Sequence, residues 1–180
     1  MTATEIIFKR YSPVIFSEKE VDHEMLLQLF EAARWAPSAF NEQPWRFIVC
    51  PKKDSKQYEK LFDCLADTNK EWAKSAPVLI LVMAKKFSSY NGKPNPYHQY
   101  DTGMAMMNFI IAAMEQGIYV HQMGGYSQEK AREHFNITEE YSLISVAAVG
   151  YHGDIASLPE HLQKRALKPR TRKEIAELLI

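Results

Sequence analysis

The sequence predicts a mixed fold of helices and strands, α/β or α+β, and three observations predict it. Val78 to Ala84 is a nearly unbroken run of apolar, strand-favouring residues, the pattern of a strand buried on both faces. Other segments place apolar residues at helical spacing, as Met25, Leu26, Leu29, Phe30 and Ala33 do. The two kinds of segment alternate along the chain, as they do where helices pack on a sheet. The 180 residues fit one domain spanning 1–180, with an apolar fraction of 46% that favours a compact core over disorder.

Taken in order, residues 3–10 read as a short helix ending near Tyr11-Ser12-Pro13. Asp22 suits the N-cap of the next helix, which stops before Pro37. Trp45 to Cys50 reads as a strand, and Asp54 with Gln57 resembles a capping box opening a helix with Tyr58, Leu61, Phe62 and Leu65 inward. After the strand at Val78–Ala84, Phe87 to Pro96 is a turn-rich loop carrying Asn91-Gly92 and two prolines. A long helix follows from about Tyr97 to Gln116, closed by Gly117. Tyr119–Gln122 reads as a short strand, Ser127 as the cap of a helix through Phe135, Ser142–Val149 as a strong strand, and 171–179 as a final helix. The long helix is apolar most of the way round, from Met104 to Met114, so it must be surrounded. In a chain of this size a partner subunit is favoured as the cover for its second face over burial within one chain.

Bulk properties exclude several function classes. Lys+Arg and Asp+Glu are both 22, so no global charge points to nucleic acid or an anionic membrane. Basic residues crowd locally at Lys164, Arg165, Lys168, Arg170, Arg172 and Lys173, where a solvated tail is the default reading. Met104–Met114 is about half the ~20 residues a membrane span needs. The opening Met1-Thr-Ala-Thr-Glu has no signal pattern, which favours a cytoplasmic location. Cys50 and Cys64 form no CxxC or disulfide framework and read as packing residues. No metal-ligand spacing is present: His98 and Asp101, three apart, read as a helix-end charge interaction, and His121 fits a satisfied buried imidazole equally well. GxGxxG, P-loop, HExxH and GxSxG patterns are missing too.

What stands out is Trp35-Ala-Pro-Ser-Ala-Phe-Asn-Glu-Gln-Pro-Trp-Arg-Phe47. Pro37 and Pro44 end the helix and fence a rigid loop, because proline removes a donor and restricts the residue before it. Ser38, Asn41 and Gln43 on that loop offer hydroxyl and amide groups suited to a flat, polar-edged heterocycle. An ordinary helix-to-strand connection is the plainer alternative. Arg10 and Ser12, together with Arg170 and Arg172, supply forked and hydroxyl donors of the kind that hold phosphate. Neither pair is specific alone.

Together these segments resemble the nitroreductase family of FMN enzymes. The resemblance is carried by Arg10-Tyr11-Ser12-Pro13, the block Ala36-Pro37-Ser38-Ala39-Phe40-Asn41-Glu42-Gln43-Pro44-Trp45-Arg46-Phe47, and Asn69-Lys70-Glu71-Trp72 followed by Ala76-Pro77. Gly117, His121-Gln122-Met123-Gly124-Gly125-Tyr126 and Arg170-Thr171-Arg172 continue it in the family's order, so that it runs from about Ile6 to Arg172.

The resemblance implies an α+β three-layer α-β-α sandwich around a mostly antiparallel sheet, and an intertwined homodimer with FMN at the subunit interface. It implies that Arg10, Ser12, Arg170 and Arg172 hold the FMN phosphate and that Asn69 meets the pyrimidine edge. Pro37, Ser38 and Ala39 would line the flavin from the other subunit with Asn41 and Gln43 nearby, and Gly124 and Gly125 would let backbone approach the ring. The family often carries a basic residue two positions after the serine; this chain has Val14, with Lys74 or Arg10 as substitutes. The implied activity is electron transfer from NAD(P)H to nitroaromatics, quinones or similar acceptors by a ping-pong cycle, with no side chain named as catalytic because the cofactor carries the chemistry. Dehalogenation, flavin fragmentation, enone reduction, flavin binding without turnover, and a dimeric module with a basic patch are the alternatives.

Overall fold

The computed structural model describes residues 2–180. Its elements run α1 (Ala3–Lys9), α2 (His23–Arg34), β1 (Trp45–Pro51), α3 (Ser55–Asp63), α4 (Asp67–Ala73), β2 (Val78–Lys85), α5 (His98–Glu115), β3 (Ile118–Met123), α6 (Gln128–Phe135), β4 (Tyr141–Tyr151) and α7 (Glu160–Ala166). The four strands form one sheet in the order β1-β2-β4-β3, every neighbouring pair antiparallel. Strand β2 is central and buried from Val78 to Ala84, as its apolar run requires.

Side-chain alternation sorts the core into two layers. Leu79, Leu81 and Met83 of β2 face α3, α4 and α6, where Tyr58, Leu61, Trp72 and Ala131 pack. Val78, Ile80 and Val82 face the other way, onto Leu26, Leu29 and Ala33 of α2 and Ala105, Phe109 and Ala113 of α5. The result is the α-β-α sandwich around an antiparallel sheet that the resemblance implied.

Several local signals act as the sequence suggests. Asp22 accepts from the Met25 amide at 2.7 Å and Ser127 from Lys130 at 3.2 Å, both at helix starts. Gly117 takes φ +70° just past α5, where a side chain would be strained. Other expectations are corrected. Asp54 stands at the start of α3 without a capping side-chain bond, its ψ of 78° lying outside the usual N-cap geometry. Residues 171–179 form only a 3-10 turn at Ile175–Glu177, because Ile175, Leu178 and Leu179 have no surface in this chain to pack on. The chain turns helical earlier instead, in α7, where Leu162 is buried. Helix α4 was also not foreseen: only Trp72 and Ala73 of its residues are fully buried, too few to show a period.

Helix α5 buries one face on α2 and the sheet. Its other side carries a stripe of half-buried Met104, Met107 and Ile111, continued by Tyr100, which is 70% exposed.

A basic cleft at one sheet edge and an anchored loop at the other

Strand β3 is a sheet edge, and a cleft of about 260 Å³ opens beside it. Arg10, Ser12, Arg170 and Arg172 all line it, although 160 residues separate Arg10 from Arg170. The Arg10 guanidinium donates to Ser12 Oγ at 3.5 Å, and Arg170 donates to the backbone carbonyls of Arg10 and Phe8. Burial lowers the Arg10 pKa first, and the like charges of Arg172 and Arg170 lower it further. Arg165 and Lys168, read in sequence as part of a solvated tail, line the same cleft. Among the described residues, none of these five cations is ion-paired to a carboxylate. Converging cations with no counter-charge make a receptor for an anion.

Val14 is buried and also borders this cleft, so no basic side chain stands there. Lys74, considered as its substitute, lines a separate hollow with Phe16 and His152. Of the two candidates, Arg10 is the one that shares the cleft with Val14.

Further along the same edge lie Asn69, Gly124 and Gly125. Asn69 on α4 donates its side-chain amide to the Gly125 carbonyl at 3.0 Å. A Cβ on Gly125 would come within 3.0 Å of that amide, whereas one on Gly124 would meet nothing within 4 Å. The backbone at Gly124 is thus open to a planar ligand, and a side chain at Gly125 would press on the Asn69 amide.

His121 on β3, left between two readings in sequence, belongs to the cleft. Its Nδ1 lies 2.7 Å from the Pro13 carbonyl, which can only accept, so this nitrogen carries the proton. The ring stacks on Trp72 with centroids 4.2 Å apart and an interplanar angle of 22°. Burial pushes its pKa down, with the Arg165 and Arg10 charges adding to the effect against the Pro13 bond. Nothing in the sequence paired His121 with Pro13, since 108 residues separate them.

The Pro37–Gln43 loop sits elsewhere, beside the start of edge strand β1 and next to α5. Phe40, Asn41 and Gln43 hold positive φ of 53°, 56° and 46°, costly backbone for residues with side chains. Their polar groups partly satisfy one another: Gln43 N–H donates to Ser38 Oγ at 3.0 Å, and its side-chain amide to Asn41 Oδ1 at 3.1 Å. Asp101 stands in the first turn of α5, the helix end where the sequence places it. It is buried and accepts from the Ala39 amide at 3.1 Å, while His98 bonds Asn95 O and Ser142 Oγ. Glu42 accepts from Ser88 Oγ and from the Ser89 amide at 2.7 Å, tying the loop to the 87–96 turn. Phe40 projects from the loop 97% exposed.

In one chain the loop and the cleft do not meet. They lie at opposite edges of a four-stranded sheet, about 14 Å apart across the strands, and on opposite faces: Ala36 packs with α2 and α5, Val14 with α3 and α4.

The geometry defines a layered α+β fold with a cation cleft and open glycine backbone at one sheet edge. Comparison with known proteins narrows the class. The Nitroreductase family profile matches residues 7–151, which leaves Arg170 and Arg172 beyond the matched segment. A protein of Archaeoglobus fulgidus, provisionally named NADH dehydrogenase/NAD(P)H nitroreductase, is 32% identical over 157 residues, covering 83% of this chain and 85% of that protein. A solved structure described as an oxidoreductase containing FMN is 32% identical and superposes with a TM-score of 0.90 over 97% of this chain and 89% of that one. The iodotyrosine deiodinase of Thermotoga neapolitana is 25% identical, over 81% of this chain and 86% of its own. The chain belongs to the nitroreductase family and is an oxidoreductase by that membership. No helix among the described residues is long and apolar enough to cross a membrane.

Proposed function

We propose that this chain is an FMN-dependent oxidoreductase that takes electrons from NAD(P)H and delivers them to nitroaromatics, quinones or similar electron-poor acceptors in successive half-reactions at one site. The observation that carries this reading is the convergence of Arg10, Ser12, Arg170 and Arg172 on one cleft without a counter-charge. The residues present fit FMN: forked and hydroxyl donors at one end, and open glycine backbone beside an amide at the other. The FMN-containing relative supports the same choice of cofactor.

When bound, FMN would supply the two-electron transfer chemistry that this set of side chains lacks. Arg10, Arg172, Arg170 and Ser12 would hold its phosphate. Asn69, fixed by the Gly125 carbonyl, would present the edge of its amide to the pyrimidine, and Gly124 would let the backbone approach the ring. Pro37, Ser38, Ala39, Asn41 and Gln43 would close the site from a second copy of the chain, since their own copy holds them at the far edge of the sheet. The half-buried stripe of Met104, Met107 and Ile111 gives that second copy an apolar surface to cover.

Replacing Arg10 and Arg172 singly with Ala should release flavin, because charge-assisted contacts to phosphate are lost. Flavin absorbance of the purified variants after gel filtration measures this, and full retention in both would overturn the assignment. Reductive dehalogenation by the same site is a second reading, motivated by the deiodinase relative. NAD(P)H oxidation driven by an iodophenol but not by nitroaromatics or quinones would select it.

A further inference from the structure

We propose that His121 is the positioning residue that shapes the basic cleft for a phosphorylated flavin, by holding the Arg10–Val14 segment against the edge strand. The inference rests on the flavin reading of the cleft and assigns a residue that reading does not use.

Helix α1 ends at Lys9, and Arg10 to Val14 follow with no helix or strand of their own. Such a segment takes its shape from whatever pins it. Two side chains pin this one through its carbonyls. Arg170 donates to Arg10 O from the C-terminal side of the cleft, and His121 Nδ1 donates to Pro13 O from β3. The second bond falls one residue beyond Ser12 and three beyond Arg10, so it sets the direction in which both donors leave the backbone.

The imidazole is itself held firmly. Its ring lies flat on Trp72, which is 1% exposed and sits one helical turn from Asn69 on α4. His121 thereby couples the strand that leads into Gly124–Gly125, the helix that carries Asn69, and the segment that carries Arg10 and Ser12. Burial, with the neighbouring Arg165 and Arg10, lowers the pKa of the ring, and the Pro13 carbonyl, which can only accept, holds a proton on Nδ1. Tyr11, packed edge-on against Tyr119 of β3 with centroids 5.3 Å apart, braces the segment but contributes no bond to its backbone carbonyls.

The consequence is a selectivity. Misplacing Arg10 and Ser12 weakens a ligand only through its phosphate, so FMN would suffer and riboflavin would not. A histidine that served only core packing would weaken both flavins alike.

Two variants separate these cases. His121→Phe keeps an aromatic ring on Trp72 and removes the donor; His121→Gln removes the ring and keeps an amide donor. Full-length protein freed of flavin is titrated with FMN and with riboflavin, followed by quenching of flavin fluorescence. For His121→Phe we expect FMN affinity to fall roughly tenfold, the scale of one buried hydrogen bond lost, with riboflavin changed less than twofold. His121→Gln should recover most of the FMN affinity. Equal losses for both flavins, or no loss for either, would overturn the role of His121 while leaving the flavin site standing. Unaltered protein that binds FMN no more tightly than riboflavin would instead remove the phosphate cleft, and this inference with it.

Discussion

Glu42 shows how much a single half-buried side chain can organise. Its carboxylate accepts from Ser88 Oγ and from the amides of Ser89 and Tyr90, and these bonds, Ser88 first, hold its pKa down to about 2. A depressed carboxylate pKa gives a contribution fully present above the ordinary value near 4.5 and lost only as pH falls through about 2. The tether is therefore constant across any working pH. Glu42→Ala should abolish amide-exchange protection at Ser89, whose amide donates to Glu42, whereas the unaltered protein should keep the same protection factor there from pH 5 to 8, roughly the range in which most proteins are most stable. Amide exchange followed by mass spectrometry would record both. Residue identity was legible here only in part. Ser38, Asn41 and Gln43 announced a polar loop, but nothing in the sequence tied Glu42 to Ser88, because contacts between separate loops leave no period to read.

Among the glycines, Gly150 on β4 carries the tightest packing constraint. A Cβ on Gly150 would approach Pro77 Cδ to 2.5 Å and Phe16 Cδ1 to 3.2 Å, and the proline ring has little freedom to retreat. Gly150→Ala should destabilise the protein by roughly 1–3 kcal/mol as an overpacked site, read as a lower urea midpoint at unchanged slope. An unchanged midpoint would mean that the Pro77 turn yields. Elements with strong periods or clear caps were legible from sequence: β2 by its apolar run, α2 and α6 by Asp22 and Ser127, and α5 by its length and Gly117. Short α4 and α7 were not, since each fully buries only one or two side chains and so shows no repeat. The C-terminal segment misled for the opposite reason. Ile175, Leu178 and Leu179 have helical spacing, but in one chain no neighbour covers them, and a turn this short does not hold a helix alone.

At the scale of the whole molecule the proposed site bears on assembly. The cleft and the loop that the family resemblance joins lie at opposite edges and on opposite faces of one sheet, so the site proposed above would need two copies. Sedimentation of the flavin-loaded protein should show all flavin absorbance moving with a dimer, and dilution should release flavin as subunits part. A yellow monomer would contradict that arrangement. By itself, the sequence determined the layered helix-and-sheet class, the central strand and the family, because hydrophobic periods, caps and a run of family motifs are local along the chain. It also picked out Arg10, Ser12, Arg170 and Arg172, which line one cleft. Only the tertiary structure decided that Arg10 and Arg170 share a cleft, that Arg165 and Lys168 join them, that His121 pins Pro13, and that Asp101 anchors the loop through the Ala39 amide. Those contacts join residues brought together by sheet pairing and helix packing, and their partners are fixed by the fold's geometry, not by proximity in the chain.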